Sequence, residues 1–164
     1  MVVDGNAAMR RKDRVRNDDF AWEVAARAPY ATLVTVDEDG QPYGVPVSAA
    51  VWEGALYFHG AAGVGKKTAC LRRGTVVQML FVSRWQSDEA DYSVDYASAV
   101  FVGRPAVVEN PDEKEATLKA IARRYCPTSP DEKTAQYIAA AQHAVDVWRI
   151  DIESVTAKAR ADTP

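Results

Sequence analysis

The chain has 164 residues, a formal net charge of −3 and 48% hydrophobic residues. That is enough for one domain with its own core, and the acidic balance argues against general nucleic-acid binding, which needs a basic surface. The two cysteines, Cys70 and Cys126, form no C-x-x-C pair, nothing suggests a metal site, and no apolar leader or long apolar run stands out, so we expect a cytoplasmic soluble protein with free thiols and no membrane partner.

Residues 1–17 are polar, and MRRKDRVR (9–16) carries five basic residues. Charge patterning predicts a solvated or partly ordered arm ahead of a single domain over 18–164. DFAWEVAARA (19–28) reads as a short helix, with Asp18 as N-cap and Pro29 closing it. The period then changes to that of strands. YATLVTV (30–36) is β-rich, DEDG (37–40) supplies an Asp-Gly hairpin signal, and QPYGVPVSAAV (41–51) and ALYFHG (55–60) read as two more strands around a tight turn at 52–54. Pro46 inside the second run predicts an edge strand or a bulge. GKKTACLRRG (65–74) reads as a helix ended by Gly74.

TVVQMLFVSRW (75–85) and YASAVFVGRPAVVE (96–109) read as strands, the second bent at Gly103–Pro105. The polar stretch between them, at 83–95, is either a mobile loop over a cleft or a solvated hairpin connection. A helix follows over 110–125, with Asn110 able to cap it, Pro111 at its first position and acids in its first turn. CPTSP breaks it, a second helix is predicted over 131–144, and VDVWRIDIESVTAKA (145–159) alternates as the last strand. The expected architecture is mainly β with peripheral helices, an antiparallel barrel of six strands with its helices outside.

The stretch YFHGAAGVGKK (57–67) carries the most chemistry. Gly60, Gly65 and Lys66 keep the spacing of a G-x-x-x-x-G-K-[ST] phosphate loop, but Lys67 stands where the hydroxyl should be. No convincing strand-ending Asp follows for a metal, and the antiparallel context lacks the βαβ unit that such a loop needs, which argues against ATP or GTP hydrolysis. A second reading is a different phosphate site. Two lysines in the first turn of a helix oppose its dipole unless an anion is present. A third is a plain strand-to-helix turn with two solvated lysines. Composition leaves the last two open.

The order and spacing of the motifs resemble the FMN-binding split-barrel family, the pyridoxamine 5′-phosphate oxidase-like superfamily, and within it the nitroimidazole reductase-like branch. The resemblance rests on MRRKDR (9–14), DGQPYGVP (39–46), YFHGAAGVGKK (57–67), YASAVFVG (96–103) and DEKEATLKAI (112–121). It implies a six-stranded split barrel working as a homodimer, with two FMN molecules in clefts at the interface. Carried over by position, the backbone of Val45, Pro46, Val47, Ser48, Ala49 and Ala50 runs along the flavin, and Phe58 and His59 border the same cleft. Lys66 and Lys67 hold the phosphate, and Ser98 approaches from the partner subunit. True pyridoxamine phosphate oxidases have an Arg at the position of Val45 and a C-terminal Arg-x-His, absent from SVTAKARADTP, so that reaction is not expected.

The resemblance implies a flavin-dependent oxidoreductase that passes electrons from a nicotinamide donor to a small acceptor such as a nitro group. The rival expectation is a non-catalytic protein on the same barrel that holds flavin or haem. The deazaflavin F420 is an expected alternative to FMN as the cofactor. His59 reads either as a proton donor beside the flavin or as a histidine that only hydrogen-bonds the loop. His143 is expected at the surface, Cys70 facing the core, and Trp85 and Trp148 filling the barrel rather than covering a flavin.

Overall fold

The computed structural model describes residues 9–160. Its strands are β1 (Val15–Arg16), β2 (Ala31–Val36), β3 (Pro42–Val47), β4 (Ala50–Trp52), β5 (Ala55–Ala61), β6 (Val77–Asp88), β7 (Ser93–Val107) and β8 (Val145–Ala159). Its helices are α1 (Asp18–Arg27), α2 (Lys66–Arg72), α3 (Pro111–Tyr125) and α4 (Asp131–Ala141). One sheet joins all the strands in the order β3-β2-β6-β7-β8-β5-β4, with β1 paired to β8 and every pairing antiparallel.

The sheet is bent into a split barrel by a short piece of chain. Val47 ends one edge strand and Ala50 begins the other, with only Ser48 and Ala49 between them. Three residue steps span about 11 Å at most, so the two edges must meet at that corner. No ladder joins them, which leaves the barrel split. Alternate residues of each strand point inward, and Leu33, Leu56, Phe58, Met79, Phe81, Phe101, Trp148 and Ile150 fill the interior. Helix α1 packs into the same core through Ala21, Val24 and Ala25, and the Trp22 ring lies tilted against Phe101, 4.7 Å between centres.

The mainly β fold with peripheral helices is as expected, but the described residues form eight strands, not six. The run 41–51 divides at Ser48–Ala49 because its halves belong to opposite edges of the sheet. Val15–Arg16 adds a two-residue strand against Lys158 and Ala157; residues 1–8 of the expected arm lie outside the described residues. Pro46 lies on an edge strand, where its missing N–H costs nothing.

The stretch 83–95 is a correction in kind. It is neither a free loop nor a bare connection, because β6 and β7 continue pairing to Asp88 and Ser93. The cap of α1 also shifts by one residue. Asn17 accepts from the Phe20 N–H at 3.0 Å, which places Asp18 and Asp19 in the first turn, where their charge suits the helix dipole.

Trp148 is buried as expected, whereas Trp85 is 69% exposed. A bulge between Val82 and Arg84 turns Trp85 to the outer face, opposite Tyr96. The same outer face shows Leu80 at 37% and Val82 at 42% exposure.

Two contacts tie α3 to the barrel corner. The Tyr125 hydroxyl donates to the Ala49 carbonyl at 2.9 Å, inside the link between β3 and β4. The Arg124 guanidinium donates to the carbonyls of Ala25 and Ala28 at 2.8 and 2.5 Å, at the C-terminal end of α1. A cation there meets unpaired carbonyls and the negative end of the helix dipole, a stabilisation of roughly 0.3–1 kcal/mol.

Candidate functional site

The site grows out of the end of β5. Along this strand Leu56 and Phe58 point into the core, so Tyr57 and His59 point to the other face. His59 lies opposite Val147 of β8. The chain then leaves the sheet through a glycine loop pinned to β8. The Ala62 N–H donates to the Ala144 carbonyl at 3.0 Å, and the Gly63 N–H donates to the Asp146 carboxylate at 3.2 Å. Arg72 of α2 reaches the same carboxylate oxygen at 3.2 Å. Gly63 and Gly65 have φ of 68° and 90°, a conformation that other residues adopt at a cost, which explains why glycines stand there.

This loop does not have the setting of a nucleotide-hydrolysing one. It connects β5 to α2 within an antiparallel sheet, and the next strand, β6, is not a neighbour of β5. The two lysines part company at the start of α2. Lys66 forms an ion pair with Asp37 at 3.0 Å and lies 5.1 Å from the Tyr43 ring. Asp37 uses its other oxygen to close the β2–β3 hairpin through the N–H groups of Asp39 and Gln41. The Lys66 ammonium and these N–H groups hold the Asp37 carboxyl below its usual range.

Lys67 turns the other way. Its ammonium lies 5.7 Å from the Phe58 ring centre and crosses Gly60, where an added Cβ would stand 2.9 Å from Nζ. No carboxylate pairs with it among the described residues. Partial burial pushes its pKa down. Burial, and then the Lys67 charge, push the His59 pKa below its ordinary value, which favours the neutral ring near pH 7 although the side chain is partly exposed. A half-buried cation without a carboxylate partner among the described residues is a group that an anion would satisfy.

His59 and Ser48 open onto a cleft of about 450 Å³. Its far wall is the α3–α4 pair, through Leu118, Ile121, Tyr125 and Ile138. These wall residues are what the sequence reading missed. Their spacing on α3, at 118, 121 and 125, marks a helix face turned to the barrel, but periodicity does not say that a gap remains there.

The other expected contacts are distributed unevenly. Val45 is half-buried and Pro46 exposed on edge strand β3, while Val47 and Ala50 are buried. Ala49 is buried and accepts from Tyr125, and only Ser48 of this run reaches the cleft. Phe58 is fully buried, with its ring in the core. Ser98 lies on the outer face of β7 opposite Val82, its hydroxyl 3.5 Å from the Lys158 carbonyl, and does not line the cleft of its own chain. His143 is exposed, Cys70 is buried, and both cysteines are free. No cluster of potential metal ligands occurs, and no helix is long and apolar enough to cross a membrane, among the described residues.

A family model described as pyridoxamine 5′-phosphate oxidase matches residues 17–159. No curated protein matches the chain. Among solved structures, a candidate 5-nitroimidazole antibiotic resistance protein from Bacteroides thetaiotaomicron is similar with a TM-score of 0.69 and 23% identity, over 88% of this chain and 85% of that one. The flavocytochrome Anf3 from Azotobacter vinelandii has a TM-score of 0.75 at 14% identity, over 99% and 76%. An FAD and haem binding protein from Mycobacterium smegmatis has a TM-score of 0.68 at 20% identity, over 90% and 73%. At these identities the likeness speaks for the fold.

Proposed function

The chain belongs to the pyridoxamine 5′-phosphate oxidase family, and from that membership we propose that it is an FMN-dependent oxidoreductase of the nitroimidazole reductase-like branch. It would pass electrons from a nicotinamide donor to a small acceptor. The observation that carries this reading is Lys67, a half-buried ammonium with no carboxylate partner among the described residues, held against Gly60 and the Phe58 ring. These residues fit one phosphate. Lys67 supplies its counter-charge, while Lys66, already paired with Asp37, supports the hairpin that frames the loop.

FMN, when bound, supplies the redox chemistry, and the protein contributes orientation and exclusion of water. The Ser48–Ala49 corner offers a fixed backbone because Tyr125 clamps it. His59, its neutral ring favoured near pH 7, offers a ring N–H as a hydrogen-bond donor to the acceptor. An anion close by would raise its pKa and so improve it as a proton donor. Val45 offers no charge, so the phosphate rests on one fully available cation.

A second reading draws on the same cleft. A neutral histidine facing apolar walls is a suitable axial ligand for haem, and two of the similar structures are by name a flavocytochrome and an FAD and haem binding protein.

An absorption spectrum of the purified protein, an FMN titration and anaerobic addition of NADH or NADPH test both readings. Flavin bands that bleach with donor are expected. Lys67→Ala should weaken FMN binding by about ten- to hundredfold, the loss of one charge-assisted contact, and Lys66→Ala by less. A protein that ignores FMN overturns the flavin assignment, and a Lys67→Ala variant that keeps FMN as well as wild type overturns the assignment of the phosphate to Lys67. A Soret band that is lost in His59→Ala would favour haem.

A further inference from the structure

We propose that Lys67 is an acylation site, whose amine takes an acyl group from a small acyl phosphate and thereby loses the charge that a bound phosphate needs. The acylation stands on the surroundings of Lys67; its effect as a switch rests on the flavin reading.

The seven lysines of the chain differ in what holds their protons. Lys66 is paired with Asp37 and Lys119 with Glu115, and Lys114 donates to the Val145 carbonyl at 2.7 Å. An acceptor holds the proton on each of these nitrogens, so no lone pair is free to attack. Lys12 and Lys133 are exposed, and water hydrates their ammonium groups. Lys158 is half-buried on the outer sheet face, opposite Ser98, and serves as the comparison. Lys67 is half-buried too, and its Nζ makes no hydrogen bond or ion pair among the described residues.

Two features of β5 put Lys67 in this position. Gly60 has no side chain, and the lysine tail uses that space, since an added Cβ would stand 2.9 Å from Nζ and 3.1 Å from Cε. The Phe58 ring centre lies 5.7 Å away. A ring at that distance returns only part of the hydration that an ammonium loses. Releasing the proton removes this cost and leaves a nucleophilic lone pair. Partial burial lowers the Lys67 pKa, which has the same sign. The carboxylates of Asp37 and Asp146 are engaged by Lys66, by Arg72 and by the Gly63 N–H, so neither offsets the Lys67 charge. Ala61, Gly63 and Val64 are exposed, so a small reagent reaches the loop.

The step is an acyl transfer. The neutral amine attacks the acyl carbon, a C–N bond forms, and the C–O bond to the phosphate breaks. Phosphate leaves with that electron pair, and the nitrogen gives one proton to solvent; nothing is oxidised or reduced. The product is a neutral amide, which offers a phosphate no charge.

Acetyl phosphate is the probe, with acetylation at each lysine read by peptide mass spectrometry. In folded, flavin-free protein Lys67 should be acetylated several-fold faster than each of the other six lysines, and in denaturant this lead should vanish. A Lys67 that reacts no faster than Lys66 and Lys158, or a lead that persists in denaturant, overturns the proposal. Acetylated protein should bind FMN about ten- to hundredfold more weakly than untreated protein, whereas the FMN affinity of Lys67→Arg, which keeps the charge, should not respond to the treatment. Unchanged FMN affinity after Lys67 acetylation overturns the switch. A protein that ignores FMN but acetylates Lys67 first sinks the flavin reading, and the switch with it, while the acylation stands. FMN binding with no preference for Lys67 sinks the acylation and leaves the flavin reading intact.

Discussion

At the scale of single residues, the proposed chemistry rests on His59 and Lys67. Burial is the larger cause of the lowered His59 pKa and the Lys67 ammonium the second. Removing that charge while keeping bulk, as Lys67→Met, should therefore raise the His59 pKa part of the way towards about 6.5. NMR of the ring protons reads this directly, since His143 is the one other histidine. An unchanged titration in Lys67→Met would show that the ammonium is not felt at the ring. The sign for stability follows from linkage. A histidine with a lowered folded pKa binds protons more readily when unfolded, so the wild type should lose stability as pH falls through about 6.5 towards the folded pKa, and Lys67→Met should lose less. The charge of Lys66 and Lys67 was legible in the sequence, but their split was not. What separates Lys66 from Lys67 is Asp37, 29 residues away, whose carboxylate is placed by a hairpin.

At the scale of elements, the longest strands reveal what periodicity can and cannot report. Strands with one buried face, such as β2, were readable because inward residues recur every second position. The ribbon of β6 and β7 beyond Trp85 was not, because it pairs outside the core and buries neither face, so its polar sequence looks like loop. The division of 41–51 at Ser48 was also hidden, since a strand that changes edges keeps its apolar pattern on both sides. Gly103 is a case where the sequence did mark a joint. It sits at the register shift between β7 and β8, where an added Cβ would stand 2.3 Å from the Asp151 carbonyl oxygen and 2.9 Å from Ile150 Cγ2. Backbone cannot yield there as a flexible side chain can. Gly103→Ala should cost about 2–3 kcal/mol, which for a domain of this size lowers Tm by roughly 5–10 °C. Thermal unfolding with an unchanged Tm would mean that the two strands part at the bulge at no cost. Gly40→Ala, where no atom crowds the Cβ, isolates the effect of positive φ alone.

At the scale of the molecule, the barrel has two faces with different tasks. The side towards α3 and α4 is covered and carries the cleft. The outer side of β2 and β6 is bare, although Val36, Leu80, Val82 and Trp85 stand on it with more than a third of their surface exposed. A sheet face of this kind is where the proposed homodimer would form, because an exposed run of large apolar side chains is costly in a monomer. Ser98 lies opposite Val82 on that same face, away from its own chain's cleft. A role for Ser98 at a cofactor thus requires the second subunit, which ties the dimer to the flavin reading. A single chain cannot spell this out, since the residues that would meet belong to different copies. The test is to place a charge at the centre of the face. Val82→Lys leaves the core untouched and should raise the dimer's dissociation constant by at least about thirtyfold, the loss expected of a central interface residue. Sedimentation across a concentration series reads this, with FMN titrated in parallel. A monomeric wild type would remove the dimer altogether. A Val82→Lys variant as dimeric as wild type would move the interface to another face and strip Ser98 of its proposed part. If the variant becomes monomeric and FMN affinity falls with it, cofactor and interface are coupled, and the barrel's bare face is as much a part of the site as Lys67.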